Sequence, residues 1–408
     1  MIALSVHVAG QSMPRALPKP TGKFSIGRVT LHWVDRSRIE PLAPDRQNRE
    51  LMVDVWYPAE PSAGDAAEYL DVAAFERTLG ADGFRTQFGA AYDIVSRGTV
   101  RTGALIAAPF AAAAERAPLL IFSPGGGMVR EVYTAQLEDL ASHGYVVAAI
   151  SHPYDAIVTV FPDGRTIGYD SKRWPQVPSF EGEPNLNQLE WHADDVCFAL
   201  DELSRANHAG PSKLPFAGHL DLARAGAFGH SFGGMAAAHA CQKDQRLSAC
   251  LDQDGEAGMR PFYLDPRGWG MDQAFMLMAR AAPKGPVPDE ELAKMKVTRR
   301  QAEEILARLR GYQDRALRST GRGSYRVVLE SKTTTHMDFS DLPALGARDA
   351  TEAETRWRTL EVIRTYTRAF FDKYVRGAAA PFLAAKPAGE LVESVEKFPP
   401  ATPPCGAH

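Results

Sequence analysis

From Pro118 onward the chain alternates short apolar runs with longer stretches of helical spacing, and this alternation constrains the fold more than any other feature. Residues 118–122, 145–150, 225–228, 247–251, 274–278 and 325–329 read as strands buried on both faces. Residues 131–143, 186–205, 232–241 and 356–374 carry apolar positions at helical spacing. Such a succession predicts a mostly parallel central sheet with helices on both faces, whose ligand-binding loops lie beyond the carboxyl ends of the strands. Upstream, residues 24–33 and 51–57 look like two further strands, and a helix over 72–79 sits in a mixed insertion.

The pattern favours one enlarged domain over two. Residues 1–22 are expected to be a leader, 23–380 a single domain with insertions at about 59–101 and 283–323, and 381–408 a tail. Hydrophobic residues make up 45% and charged residues 24% of the 408, enough for a core without disulfides. A net charge of -4 with no block of like charge argues against a nucleic-acid partner. No apolar run reaches the length of a transmembrane segment. Met1 to Gly10 is apolar with small residues but lacks a basic start; it reads as a frayed terminus of a cytoplasmic protein or the remnant of a longer export signal. Cys241 and Cys250 are close enough to pair, yet three buried thiols (Cys197, Cys241, Cys250) and a tail thiol at Cys405 are the expected state. Their spacing suits no metal.

The chemistry concentrates at Gly229-His230-Ser231-Phe232-Gly233, a G-x-S-x-G sequence between the strand 225–228 and the Ala-rich helix that follows. A serine on so sharp a turn has a strained backbone, and side chains two residues to either side would collide, hence the glycines. Ser231 is the candidate nucleophile. A serine hydroxyl needs a base to take its proton and a third group to orient that base. In a strand–serine–helix arrangement of this kind the chain order is nucleophile, acid, histidine. Three histidines follow Ser231. His239 lies two turns along the same helix and His408 is terminal, which leaves His336, in a Thr-Thr-Thr-His loop after the strand 325–329. For the acid, the strand 247–251 ends in Asp252-Gln253-Asp254, and both aspartates could face the same side. Position alone leaves the two open, with Asp265, Asp272 and Asp338 as outside alternatives.

The tetrahedral intermediate carries a negative oxygen, which requires waiting N–H donors. Phe232 should supply one. The other should come from Ser123-Pro124-Gly125-Gly126-Gly127, where glycines permit close backbone approach. A phosphate-cradling loop would need a following G-K-[ST], which is absent.

Phe122-Ser123-Pro124-Gly125, residues 139–150 (DLASHGYVVAAI), Gly229 to Gly234 (GHSFGG), Asp244-Gln245-Arg246, and His336 with Phe339 and Asp341 together resemble the plasma-type platelet-activating factor acetylhydrolases and their bacterial relatives. The resemblance covers roughly 118–342. It implies an α/β-hydrolase fold and serine-dependent cleavage of short-acyl esters, phospholipid sn-2 esters among them. It places the acid on Asp254 rather than Asp252, by its offset from the nucleophile, and the second oxyanion donor on Gly126. Family members commonly read Ser-His-Gly-Leu-Gly where this chain has Ser-Pro-Gly-Gly-Gly, so ester hydrolysis carries over and phospholipid specificity does not.

The insertion 283–323 contains Thr298-Arg299-Arg300-Gln301, a capping box opening a helix with Ile305, Leu306 and Leu309 on one face and arginines on the other. It reads either as a lid touching a lipid surface or as a solvated helix. The expected partner is a small-molecule or lipid ester, with no metal and no organic cofactor. Three rivals stand beside the esterase: an amidase or peptidase with the same triad, a polyester-active hydrolase, and a non-catalytic binding protein on the same fold.

Overall fold

The computed structural model describes residues 17–169, 186–210, 214–255, 271–281, 285–383 and 391–401. Its strands are β1 Ser25–Ile39, β2 Asn48–Ala59, β3 Ala104–Ile106, β4 Ala117–Ser123, β5 Val146–Ser151, β6 Val158–Val160, β7 Thr166–Gly168, β8 Leu220–His230, β9 Leu247–Gln253, β10 Ala274–Arg280, β11 Ser324–Leu329 and β12 Val392–Phe398. The helices are α1 Val72–Phe88, α2 Tyr92–Val95, α3 Thr134–Ser142, α4 Leu186–Ala209, α5 Phe232–Lys243, α6 Asp289–Met295, α7 Arg299–Arg318, α8 Leu342–Leu345 and α9 Ala350–Tyr374.

Ten strands form one sheet in the order β12-β11-β10-β9-β8-β4-β5-β2-β1-β3, with β6 and β7 a separate hairpin. The six from β5 to β11 in that order pair in parallel; β2 joins β5, and β12 joins β11, antiparallel. Successive side chains of a strand point to opposite faces, so each apolar run feeds two cores. On β4, Leu120 and Phe122 belong to the core under α3 and α9, whereas Leu119 and Ile121 belong to the core under α4 and α5. Both faces are therefore dry, which is why the strands read as continuous apolar runs.

Strand order reverses at β4: the chain steps to β5 on one side and then returns to β8 on the other. Such a switch point opens a crevice beyond the carboxyl ends of the two strands. The loop 124–129 after β4 and Ser231 after β8 both fall there.

Several elements differ from the sequence expectation. The helix expected over 131–143 opens as a 3₁₀ turn, Arg130–Tyr133, before α3. The helix in the first insertion runs to Phe88 through a break at Gly80, and Phe75, Phe84, Phe88 and Tyr92 pack edge to face beneath it. Within the expected tail, Val392–Phe398 adds an antiparallel edge strand to the sheet. Part of the expected leader is tied down: Thr21 donates twice to Asp139 Oδ1, at 2.8 Å each, and Leu17 is buried; residues 1–16 lie outside the described chain.

Cys241 and Cys250 form a disulfide between α5 and β9, not the pair of thiols expected, because the helix packs directly on the strand that follows it. Cys197 is a free, half-buried thiol, and Cys405 lies outside the described residues. In the second insertion the capping box is formed, with Thr298 N–H donating to Gln301 Oε1 and Gln301 N–H to Thr298 Oγ1. The expected apolar face of α7 is only partly covered, with Ile305 half-buried. Ala302, Ala316 and Leu317 are covered, Leu306 is exposed, and Arg300 pairs with Glu304 along the surface.

Candidate active site

Ser231 joins β8 to α5 with φ 54° and ψ -124°, a left-handed conformation that costs a residue with a Cβ on the order of 1–3 kcal/mol. The surroundings impose it. Ser231 N–H donates to Gln253 O at 2.8 Å, and its carbonyl accepts from Gly234 and Met235. The glycines are steric requirements: a Cβ on Gly229 would lie 2.3 Å from Gly233 O, and one on Gly233 would lie 2.1 Å from Ser123 O. The serine side chain makes no capping bond to the helix it opens.

His336 opens a 3₁₀ turn beyond β11, and its Nδ1 lies 2.7 Å from Asp254 Oδ2. That contact leaves Nε2 as the nitrogen able to meet a hydroxyl. Its loop is anchored from behind, since Asp338 Oδ2 accepts from Thr335 N–H at 2.6 Å and from Arg356 at 2.8 Å. Asp338 is thus the brace of the histidine loop. Arg280 closes the other side of Asp254: its backbone N–H donates to Oδ1 at 3.0 Å and its Nε to Oδ2 at 2.5 Å. Burial opposes ionisation of Asp254, but the bonds from His336 and Arg280 outweigh it and hold the carboxyl below its ordinary value.

The two aspartates part company where the strand ends. Asp254 has φ 53°, which breaks the alternation expected to send it the same way as Asp252. Asp252 remains in β9, fully buried, with Oδ1 accepting Gly255 N–H at 2.9 Å. It fills the space behind the elbow, where a Cβ on Gly234 would lie 2.0 Å from its Oδ1. Asp272 lies before β10, at the opposite end of the sheet. His239 points away on α5 and bonds Glu190 at 2.6 Å. Asp265 and His408 fall outside the described residues.

The glycine loop sits against the elbow. A Cβ on Gly125 would lie 3.4 Å from Ser231 Cβ, and one on Gly126 3.6 Å from Phe232 Cβ. Gly125 N–H donates to Tyr133 Oη at 3.2 Å, and Gly127 N–H to Asp155 Oδ2 at 3.4 Å. Gly126 N–H has no acceptor among the described residues. Phe232 is the first residue of α5, so its N–H lacks a partner within the helix. The glycine loop and the first residue of α5 thus flank the serine.

Sequence reasoning missed His230 and Tyr133. Tyr133 Oη accepts from Gly125 N–H and lies 2.9 Å from His230 Nδ1. Burial pushes the His230 imidazole down to about 3, and its ring centroid lies 4.5 Å from that of His336. The residue before the serine in a G-x-S-x-G sequence points back into the core, and that was the available signal. Among the described residues no group of three or more His, Cys, Asp or Glu side chains is arranged to hold a metal, and no helix is long and apolar enough to cross a membrane.

A parallel sheet with a glycine-flanked serine at its switch point defines an α/β-hydrolase. Residues 9–261 match the family model "Platelet-activating factor acetylhydrolase, isoform II", and the chain belongs to that family. The platelet-activating factor acetylhydrolase of Cavia porcellus is 29% identical over 253 residues, 58% of this chain and 55% of that protein. A probable 1-alkyl-2-acetylglycerophosphocholine esterase of Arthroderma benhamiae is 27% identical over 62% of each chain. The matches thus span between about half and two thirds of those relatives' length. Among solved structures, a ferulic acid esterase from Streptomyces cinnamoneus superposes with a TM-score of 0.67 at 27% identity, over 91% of this chain and 96% of that one.

Proposed function

We propose that the protein is a serine-dependent carboxylic ester hydrolase acting on short-acyl esters. The carrying observation is the 2.7 Å contact of His336 Nδ1 with the ionised Asp254, beside an elbow serine. Ser231 Oγ attacks the ester carbonyl as His336 Nε2 takes its proton, and Asp254 stabilises the imidazolium. The N–H groups of Gly126 and Phe232 hold the oxyanion. His336 then protonates the leaving alcohol, and water repeats the sequence on the acyl-enzyme.

Two substrate classes follow from the relatives. The acetylhydrolase and acetylglycerophosphocholine esterase names point to phospholipids with a short sn-2 acyl group. The ferulic acid esterase, matched over nearly the whole chain, points to aromatic acyl esters.

Hydrolysis of p-nitrophenyl esters from acetyl to palmitoyl, with Ser231→Ala as control, tests the reading. Activity confined to short chains and lost by several orders of magnitude in the variant is expected. Substantial activity in Ser231→Ala would overturn the nucleophile, and anilides cleaved as fast as esters would favour an amidase. Short-chain phospholipids against methyl ferulate then separate the two classes.

A further inference from the structure

Behind the glycine loop lies a buried layer of ionisable side chains that the triad does not use. Ser123, at the root of the loop, lies 2.9 Å from His152 Nε2, and His152 Nδ1 lies 2.8 Å from Asp195 Oδ2. Arg49 Nε donates to Asp195 Oδ1 at 2.7 Å, and Arg38 pairs with the same carboxylate at 2.9 Å. Ser123 is fully buried, so this second Ser–His–Asp chain has no access to an ester. It fixes the root of the loop.

The His192 ring lies face to face on that of His152, with centroids 3.8 Å apart, and edge-on to Phe232 at 5.1 Å. Its Nε2 is 3.8 Å from Asp155 Oδ2, and neither ring nitrogen has a hydrogen-bond partner among the described residues. Asp155 Oδ2 accepts Gly127 N–H, and its Oδ1 accepts Gln188 Nε2 at 2.7 Å. Tyr154, just before it, is held at φ 67°. Strain of this kind persists only where the surroundings enforce it.

We propose that Asp155 and His192 are positioning residues for the oxyanion site. Asp155 holds the Gly126–Gly127 arm, His192 holds the Phe232 arm, and their mutual contact sets the spacing of the two N–H donors. The inference deepens the esterase reading and rests on it. Donors must converge on the position the oxyanion will occupy, and these two come from segments joined through this pair.

The groups facing Asp155 are His192 and Gln188 from α4, Gly127 N–H from the loop after β4, and Arg49 from β2. Burial outweighs the bonds that favour ionisation and pushes its carboxyl up to about 7. Burial likewise pushes the His152 and His192 imidazoles below their ordinary value, while burial of Asp195 is overcome by Arg49 and Arg38. An ionised Asp155 accepts Gly127 N–H more strongly than a protonated one. The loop should therefore tighten as pH rises through neutrality.

The test is steady-state hydrolysis of p-nitrophenyl acetate against pH by wild type, Asp155→Asn and His192→Phe, with organophosphate titration of Ser231 to count folded sites. Asp155→Asn is isosteric, and His192→Phe keeps the stack and the edge contact, so filling of space is preserved in both. Either variant alone suffices. We expect kcat to fall roughly tenfold or more per titrated site, with KM within about twofold. The wild-type acid limb of kcat/KM should need two ionisations and that of Asp155→Asn only one. Full titration with kcat unchanged, or an acid limb that Asp155→Asn leaves unaltered, overturns the proposal while the esterase reading stands. A wild type that neither hydrolyses nor is labelled overturns both.

Discussion

Asp254 Oδ2 receives His336 Nδ1 at 2.7 Å and Arg280 Nε at 2.5 Å, so an imidazole and a guanidinium share one carboxylate oxygen. Asp252, two residues earlier, instead bonds the backbone behind the elbow. Asp254→Asn should lower kcat by about 10³–10⁴ with KM little changed. Asp252→Asn, whose amide oxygen can still accept Gly255 N–H, should cost about 1 kcal/mol of stability through the loss of charge on that bond and leave most of kcat. Kinetics and urea melts on the pair check this; the reverse ranking would move the acid to Asp252.

Arg280 sets a pH dependence. The folded Asp254 carboxyl is held below its ordinary value, so it contributes stability above the unfolded pKa of about 3.9, and that contribution is lost as pH falls through the folded value. Arg280→Gln removes a bond that favours ionisation and should shrink the contribution. Urea melts at pH 7 and pH 3 should show the variant losing less stability than wild type on acidification. Equal losses would mean that Arg280 does not hold the carboxylate.

Gly233→Ala would set a Cβ 2.1 Å from Ser123 O and 2.2 Å from Pro124 O, against backbone that cannot yield without moving the glycine loop. The substitution should cost on the order of 3 kcal/mol and abolish organophosphate labelling of Ser231. Gly127→Ala meets nothing within 4 Å, so the cost there is only that of its φ of 71°. Thermal melts of the two variants should therefore differ clearly.

The Cys241–Cys250 disulfide closes a short loop between α5 and β9. Alkylation of denatured, unreduced protein should leave both cysteines unmodified and modify Cys197, as read by peptide mass. Replacing both with serine should cost about 2–3 kcal/mol by the loop-entropy account. Modification of all three would show that the bond does not form in the protein as made.

Much of the fold was legible because it follows from local periodicity. Continuous apolar runs announced a sheet dry on both faces, and the spaced stretches announced its helices. The elbow was legible too, since the collisions that demand Gly229 and Gly233 arise within five residues. Chain order narrowed the histidines to three, and His336 was left once His239 and His408 were set aside by position.

Choosing between Asp252 and Asp254 was another matter. Alternation along β9 treats them alike, and a resemblance had to favour one. They separate because Asp254 adopts a positive φ just where the strand stops, a conformation enforced by its N–H bond to Met278 O on the neighbouring strand. The same holds for β12, Tyr133 with His230, and the stacked His152 and His192. Each depends on segments far apart in the chain meeting across the sheet, and pairing at that distance leaves no periodic trace in either segment. Local sterics and hydrophobic spacing wrote the scaffold and the serine turn into the sequence; packing between distant strands and helices decided which carboxylate faces the histidine and what lies behind the glycine loop.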